Sequence, residues 1–282
     1  MTEHTALRYR DVATRTIGAS GTTFAYREYG SQAGVPLVLL THLGGNLDNW
    51  DPAVVDGLAD ERHVIAVDYR GVGASAGTIR DTIEQIAADT RAVIRALGYD
   101  RVDVFGLSMG GMVAQAVAAQ APELVDRLIL AATGPAGGPG LTGMTRVAVR
   151  AVLRAVLTFN DPKTLLFFTR SKVEKSAAHQ YIARLKDRVV GRDDAITPAV
   201  YRAQLSAVRA WGAQAPAGLS ALASRVLIVH GDNDRMVPPA NATVLVRSLP
   251  DATLTVFPDS GHGVVFQNHR AFVDRAREFL RR

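Results

Sequence analysis

Residues 101–119 constrain the fold of this chain more than any other stretch. They begin with R-V-D-V-F, typical of a buried strand, and end with an alanine-rich stretch typical of a helix. Between the two lies G-L-S-M-G, residues 106–110, in which Ser108 stands between two glycines. At so sharp a turn, only small neighbours let the strand and the helix approach each other. The pattern predicts a nucleophile elbow, with the Ser108 hydroxyl exposed where the strand ends.

Apolar runs recur along the chain at the spacing of strands joined by helical crossovers. Most are continuous Val, Ile and Leu stretches, as expected for strands that are buried on both faces. Helical patterns lie between them, at residues 81–97, 239–249 and 266–280. We therefore predict an α/β fold with a doubly wound, mostly parallel sheet and with function at the carboxyl ends of its strands. The predicted strands are residues 14–17, 22–29, 36–42, 63–68, 101–107, 128–133, 226–231 and 253–258.

One segment interrupts this alternation. A stretch rich in glycine and proline, residues 134–140, precedes helical patterns at 146–157, 175–190 and 201–211. We expect a core domain formed by residues 1–134 and 221–282, and a helical cap or lid formed by residues 135–220. The cap contains an apolar run in which Phe167 and Phe168 are candidates to line a substrate pocket. The alternative is that these side chains only fasten the cap to the core.

A serine hydroxyl needs a base to take its proton, and histidine has a suitable pKa. His262 lies in a glycine-flanked loop after the last predicted strand, where its imidazole can reach Ser108. His230 ends a strand and is expected in the core. The imidazole in turn needs a carboxylate behind it, and the turn after His230 offers two. We expect Asp234 to orient the imidazole, and Asp232 to stabilise the turn through the backbone.

Two backbone N–H groups are needed to stabilise an oxyanion. We expect one from Met109, directly after the serine. The other is expected from Leu43, in the turn T-H-L-G-G-N at residues 41–46. His42 is either a turn residue or a residue facing the pocket. The alternative for the whole segment is an ordinary glycine turn.

With Ser108, Asp234 and His262 in that order, the chain resembles the α/β-hydrolase superfamily, in its serine-nucleophile, esterase- and lipase-like branch with a helical cap. Residues 68–75 look like the family's D-x-R-G-x-G-x-S loop, and residues 231–238 look like its G-x-x-D-x-x-x-P turn. We read the former loop as scaffolding, with Arg70 as the partner of its aspartate. One departure is that T-H stands where the family often has H-G at the oxyanion turn.

The resemblance and the triad together imply a hydrolase that forms an acyl-enzyme. We expect its substrate to be a small or medium uncharged carboxylic ester or lactone. A carbon–carbon bond hydrolase and a cofactor-free perhydrolase are the alternatives on the same triad. The fold also hosts non-catalytic ligand-binding proteins, which is a further alternative.

Composition excludes other classes of site and predicts few partners. The absence of cysteine excludes disulfides, thiolate metal sites and cysteine nucleophiles. No metal-binding or nucleotide-binding motif is present, so we expect no metal and no cofactor. No apolar run approaches the ~18 residues of a membrane span. We expect a cytoplasmic protein with a small-molecule substrate and neither nucleic-acid nor membrane partners, and we leave its oligomeric state open, a homodimer being possible.

The charge of the chain is unevenly distributed. The net charge is +5, yet residues 142–220 carry 13 Lys and Arg against 5 Asp and Glu. Arg146, Arg150 and Arg154 recur at helical spacing, which predicts a solvated stripe beside an apolar one. The alternative is attraction of an anionic substrate. No arginine stands alone in an apolar setting, where it would suit a substrate carboxylate.

Overall fold

The structure, a computed structural model, describes residues 7–32, 34–158, 161–169, 171–216 and 219–281. Eight strands form one sheet in these ranges, in the order β1-β2-β4-β3-β5-β6-β7-β8. Only the pairs β1–β2 and β2–β4 are antiparallel, and the other strand pairs are parallel. The predicted doubly wound, mostly parallel sheet is therefore confirmed. The strands are β1 Arg15–Ala19, β2 Thr22–Gly30, β3 Leu37–Leu40, β4 His63–Val67, β5 Val102–Leu107, β6 Val125–Ala131, β7 Arg225–Gly231 and β8 Ala252–Phe257.

Helices cover both faces of the sheet and fill the interval between β6 and β7. They are α1 Pro52–Ala59, α2 Ile83–Ala96, α3 Met109–Gln120, α4 Met144–Thr158, α5 Pro162–Phe167, α6 Lys172–Lys186, α7 Pro198–Ala213, α8 Ala240–Ser248, α9 Val264–Gln267 and α10 His269–Arg281. The single helix predicted at residues 266–280 is in fact two. It is divided at Asn268, whose side-chain amide donates to the Val264 carbonyl at 3.0 Å.

The sequence analysis missed α1 and α5, which are short. Each begins with an aspartate followed by proline: Asp51 accepts a hydrogen bond from the Ala53 N–H at 3.0 Å, and Asp161 accepts one from the Lys163 N–H at 2.9 Å. An aspartate at the N-cap with proline at the first helical position is a strong helix-start signal. This signal could have identified both helices.

The central strands are buried on both faces, as their continuous apolar sequences require. Every residue of β3 and of β4 is buried. On one face the Phe105 ring of β5 packs between Trp50 and Phe272, with ring centroids 5.2 and 5.1 Å away. Such packing holds the carboxyl end of β5, and with it the turn that contains Ser108, in a rigid setting.

Helix α6 and the loop between α6 and α7 are fastened to the core by polar contacts. From α6, Arg184 makes a bidentate ion pair with Asp51, through Nε at 2.7 Å and Nη2 at 2.6 Å. The Asp51 side chain is fully buried. Between α6 and α7, Asp193 accepts a hydrogen bond from the Ala74 N–H at 2.8 Å. The inserted segment is therefore attached to the core at several separate points.

We expect Arg184→Ala to lower the free energy of unfolding by about 3 kcal/mol, since it leaves the Asp51 carboxylate buried without its charged partner. Urea unfolding measures the change. Arg95→Ala is the control because Arg95 pairs with the exposed carboxylates of Asp100 and Glu123. That change should cost less than about 1 kcal/mol. Equal losses in the two variants would contradict the structural role of the Arg184–Asp51 pair.

Candidate active site

Ser108 is the single residue between β5 and α3, and its backbone is strained. Its φ is 56° and its ψ is −116°, a region that residues with a side chain rarely occupy. Its N–H donates to the Ala131 carbonyl at 2.8 Å, and its own carbonyl accepts from the Thr133 hydroxyl at 2.7 Å. A Cβ at Gly110 would lie 1.9 Å from the Leu40 carbonyl oxygen. The turn can therefore form only with glycine at that position.

Three side chains predicted from the sequence meet in one hydrogen-bonded chain. The Ser108 hydroxyl lies 2.8 Å from His262 Nε2, and His262 Nδ1 lies 2.8 Å from Asp234 Oδ2. The other Asp234 oxygen accepts from the N–H groups of Met236 and Val237, at 2.8 and 2.9 Å. A carboxylate held in this way can only accept from Nδ1–H. The tautomer thus leaves Nε2 free to accept the serine proton.

Asp232 and His230 lie behind this chain. Asp232 is exposed, and its Oδ1 accepts from the Ser260 N–H at 3.2 Å, which ties its turn to the loop that carries His262. His230 is fully buried, with Nε2 donating to the Val237 carbonyl at 2.9 Å. Burial lowers the pKa of His230, so this ring is neutral in the core. Neither side chain hydrogen-bonds to Ser108 or His262 in the described ranges.

The loop after β4 departs from its expected pairing. Arg70 does not pair with Asp68; its guanidinium makes a bidentate ion pair with Asp89 of α2, with both distances 2.7 Å. Asp68 is fully buried, and burial raises its pKa well above the usual value, an effect that the neighbouring Asp193 increases. The expected partner was wrong because Asp89 comes close to Arg70 only through the packing of α2.

Within the residues that the structure describes, the turn after β3 and the first turn of α3 each leave one N–H group without an acceptor. The Gly45 N–H donates to the His42 carbonyl at 3.1 Å, and the Gly44 N–H donates to Gln204 Oε1 of α7 at 2.7 Å. In the described part of the chain, no acceptor faces the Leu43 N–H. Met109 is the first residue of α3, so its N–H has no acceptor within the helix. The N-terminus of α3 also carries a partial positive charge that favours an anion.

His42 presents an unpaired acceptor at this site. Its Nδ1 lies 2.8 Å from the Leu43 carbonyl, which can only accept, so Nδ1 carries the proton. Burial lowers the pKa of His42 to about 4, and the ring is therefore neutral at pH 7. Its Nε2 is buried and has no hydrogen-bond partner among the described residues. The ring packs edge-on against Phe167, with centroids 4.9 Å apart.

Ser108 opens into a cavity of about 230 Å³ rather than into solvent. The sequence analysis expected an exposed hydroxyl, but Ser108 is only 1% exposed because residues of α4, α5 and α7 cover it. His42 and Phe167 line this cavity and Phe168 does not, so the pocket role expected of Phe168 does not fit this cavity. The lining residues are His42, Leu43, Gly44, Ser108, Met144, Ala148, Asp161, Pro162, Lys163, Leu166, Phe167, Tyr201, Leu205, Met236 and His262.

The sequence analysis missed several of these residues, including Lys163, Tyr201 and Leu205. It also missed Gln204, which is buried and holds the Gly44 N–H from a position 160 residues away. No local pattern marks such residues, because only the folding of α5 and α7 over the sheet brings them to Ser108. The aspartate and proline that begin α5 are the one signal that could have placed Lys163 on a helix.

A second and larger cavity, of about 730 Å³, lies between α4, α5 and α6; we call it the basic cleft. Arg146, Arg150 and Arg154 are all exposed, as a solvated stripe requires. Arg150 and Arg154 also line this cleft, whereas Arg146 does not. Phe168 also faces it. The lining residues are Val147, Arg150, Ala151, Arg154, Thr164, Leu165, Leu166, Phe168, Thr169, Lys175, Ala178, His179 and Arg235.

The described residues contain no cluster of three or more His, Asp or Glu side chains that could hold a metal ion. In the same ranges no helix is both long enough and apolar enough to cross a bilayer.

Comparisons with known proteins give the family. Residues 35–269 match the model of the alpha/beta hydrolase fold. The pimeloyl-(acyl-carrier protein) methyl ester esterase of Nitrosomonas europaea is 30% identical over 85% of this chain and 93% of its own. The 2-hydroxymuconate semialdehyde hydrolase of a Pseudomonas species is 29% identical, over 89% and 88% of the two chains. Among solved structures, an alpha/beta hydrolase fold protein from Chitinophaga pinensis superposes with a TM-score of 0.92 at 32% identity, over 97% of this chain and 99% of that one. The chain therefore belongs to the α/β-hydrolase family.

The strain at Ser108 gives a prediction about stability. Alanine removes the hydroxyl but keeps a Cβ at φ 56°, whereas glycine removes both. We expect Ser108→Gly to be more stable than Ser108→Ala by about 1 kcal/mol in urea unfolding. Ser176, exposed on α6, is the matched control, because glycine should be less stable than alanine there by about 1 kcal/mol. The same order at both positions would contradict strain at Ser108.

Proposed function

We propose that this α/β hydrolase is a serine hydrolase that cleaves a carboxylic ester or lactone through an acyl-enzyme intermediate. The observation that carries the proposal is the chain of 2.8 Å hydrogen bonds from Ser108 through His262 to Asp234. The ester named for the Nitrosomonas relative supports this class of substrate.

In the first half of the reaction, Ser108 Oγ attacks the ester carbonyl and His262 Nε2 takes its proton. Asp234 stabilises the imidazolium that forms and holds its orientation. The N–H groups of Leu43 and Met109 would donate to the oxyanion of the tetrahedral intermediate. His262 then gives its proton to the leaving alcohol, and the acyl group remains on Ser108. Water hydrolyses this acyl-enzyme by the same steps, with His262 again as base and then acid.

The cavity favours an uncharged acyl group of modest size. Its volume of about 230 Å³ is small for a ligand site, and Met144, Leu166, Leu205 and Met236 contribute apolar side chains. Most of these residues belong to the segment 135–220, which we propose acts as a cap that sets acyl preference. The unpaired Nε2 of His42 would accept a hydrogen bond from a substrate hydroxyl or N–H.

Lys163 favours a second candidate, carbon–carbon bond hydrolysis of an anionic keto acid. It lines the cavity and, among the described residues, has no ion-pair partner, so it could bind a substrate carboxylate. The semialdehyde hydrolase among the relatives supports the same candidate. Comparing kcat/KM for neutral p-nitrophenyl esters and for anionic vinylogous diketo acids decides between the two. Far greater turnover of the acids, falling steeply with salt, would overturn the esterase proposal.

Removal of the proposed catalytic groups tests the mechanism. We expect Ser108→Ala and His262→Ala to lower kcat by a factor on the order of 10⁴–10⁶, and Asp234→Ala by somewhat less. Asp232→Ala is the control, since Asp232 ties its turn to a loop but does not hydrogen-bond to His262. A fluorophosphonate should label the wild type and not Ser108→Ala. Failure to label the wild type would favour a non-catalytic ligand-binding protein.

Neighbouring phenylalanines allow a matched test of acyl preference. Phe167→Ala enlarges the catalytic cavity, so the optimum of kcat/KM should move to longer acyl chains. Phe168→Ala should leave the optimum unchanged, because that ring packs against Tyr181, with centroids 5.8 Å apart, and lies outside the cavity. A panel of p-nitrophenyl esters of increasing length measures the optimum, which does not depend on the fraction of folded protein. An unchanged optimum in Phe167→Ala would assign that ring a structural role only.

A further inference from the structure

The basic cleft gathers positive charge from three separate elements. Arg150 and Arg154 come from α4, Lys175 from α6, and Arg235 from the turn after β7. His179 of α6 also lines the cleft. The lining contains neither aspartate nor glutamate. None of these arginines, nor Lys175, forms an ion pair within the described residues, and each is exposed. The cleft is therefore a concave site with at least four uncompensated positive charges at pH 7.

This arrangement differs from that of the buried arginine pairs. Arg27, Arg70 and Arg184 each meet a buried carboxylate at hydrogen-bonding distance, whereas the cleft arginines face one another around a cavity. Cations brought together around a cavity repel one another, and an anion in the cavity relieves that repulsion. Because guanidinium groups match phosphate geometry and several are present, the chemistry fits a phosphate-bearing ligand better than a single carboxylate.

The floor of the cleft is apolar, so its ligand would also carry an organic part. Val147, Ala151, Leu165, Phe168 and Ala178 contribute to the lining. The volume of about 730 Å³ exceeds what a free phosphate ion needs and lies in the range of small-molecule sites. These features describe an organic phosphate rather than a simple anion.

Helix α5 places this cleft beside the catalytic cavity. Lys163 and Phe167 of α5 face the catalytic cavity, whereas Thr164 and Leu165 face the basic cleft. Leu166 lines both. The two cavities are thus separated by one short helix and share Leu166, so a molecule that occupied both would have to pass this side chain.

We propose that the basic cleft binds the phosphate-bearing end of an acyl ester or thioester whose carbonyl lies at Ser108. This inference rests on the proposed function and adds the class of substrate, an acyl group on a phosphorylated carrier. For a thioester, Ser108 Oγ forms a bond to the acyl carbon while the carbon–sulfur bond breaks. The proton passes from Ser108 through His262 to the leaving thiolate, and water then releases the acid. Contacts remote from the carbonyl would contribute binding energy to the reaction.

Two thioesters with the same acyl group test the proposal: butyryl-coenzyme A, which carries phosphates, and the neutral S-butyryl-N-acetylcysteamine. In the wild type we expect kcat/KM to be at least about tenfold higher for the coenzyme A ester. In Arg150→Gln/Arg154→Gln this ratio should fall by about 10- to 100-fold. Arg146→Gln is the matched control, because it removes a charge from the same helix outside the cleft, and it should keep the wild-type ratio.

Binding of free coenzyme A to the wild type, measured by calorimetry, is the second measurement and does not depend on turnover. The dissociation constant should rise about tenfold or more in the double variant and remain unchanged in Arg146→Gln. No binding at millimolar coenzyme A, a wild-type ratio near one, or equal effects in both variants would each overturn the proposal. Fluorophosphonate labelling of Ser108 would still occur in those cases if only this inference is wrong; its absence would instead refute the proposed function.

Discussion

The turn at Ser108 is the constraint on which the site depends. A side-chain-bearing residue is held at φ 56° because β5 and α3 leave it no other conformation. Gly110 of α3 lies against the Leu40 carbonyl of β3, at a distance that admits no Cβ, and the Ser108 N–H is bound by the carbonyl that ends β6. Three parallel strands therefore meet at this one residue. A packed core can maintain such strain. The strained backbone directs the Ser108 hydroxyl beyond the sheet edge toward His262.

The inserted helices turn that edge into two cavities of different character. Helix α5 is only six residues long, yet one of its faces borders an apolar cavity at Ser108 and the other borders a cleft rich in arginine and lysine. Ser108 and His262 line the first cavity, whereas the exposed cations line the second. The largely apolar walls around Ser108 strengthen the hydrogen bonds that join Ser108, His262 and Asp234, whereas exposed cations can attract an anion over a longer range. Two buried histidines near His262, His42 and His230, stay neutral and add no charge beside it.

Contacts from the insertion also organise the core side of the site. Gln204 of α7 binds the Gly44 N–H and so restricts the turn that presents the Leu43 N–H. The Phe167 carbonyl accepts a hydrogen bond from the Gly263 N–H at 2.7 Å, next to His262. The Phe167 ring packs against the His42 ring. Displacing α5 or α7 would therefore disturb both the turn that carries Leu43 and the loop that carries His262. The insertion thus contributes to the geometry of the site as well as to the walls of the cavity.

By itself the sequence determined the features that depend on local backbone chemistry. The strand–turn–helix around Ser108, the alternating strands and helices, and the order of Ser108, Asp234 and His262 follow from residue size, periodicity and turn preference, which act over a few neighbours. The aspartate–proline pairs that begin α1 and α5 are equally local signals and could have predicted both helices. Only the tertiary structure decided which side chains line the two cavities: Phe167 and not Phe168 at Ser108, and Arg150 and Arg154 but not Arg146 in the basic cleft. It also decided that Arg70 pairs with Asp89 and that Gln204 binds the Gly44 N–H. Those outcomes depend on how α2 and the inserted helices pack against the sheet. This packing brings together residues that are far apart along the chain, and no periodic pattern in the sequence predicts such contacts.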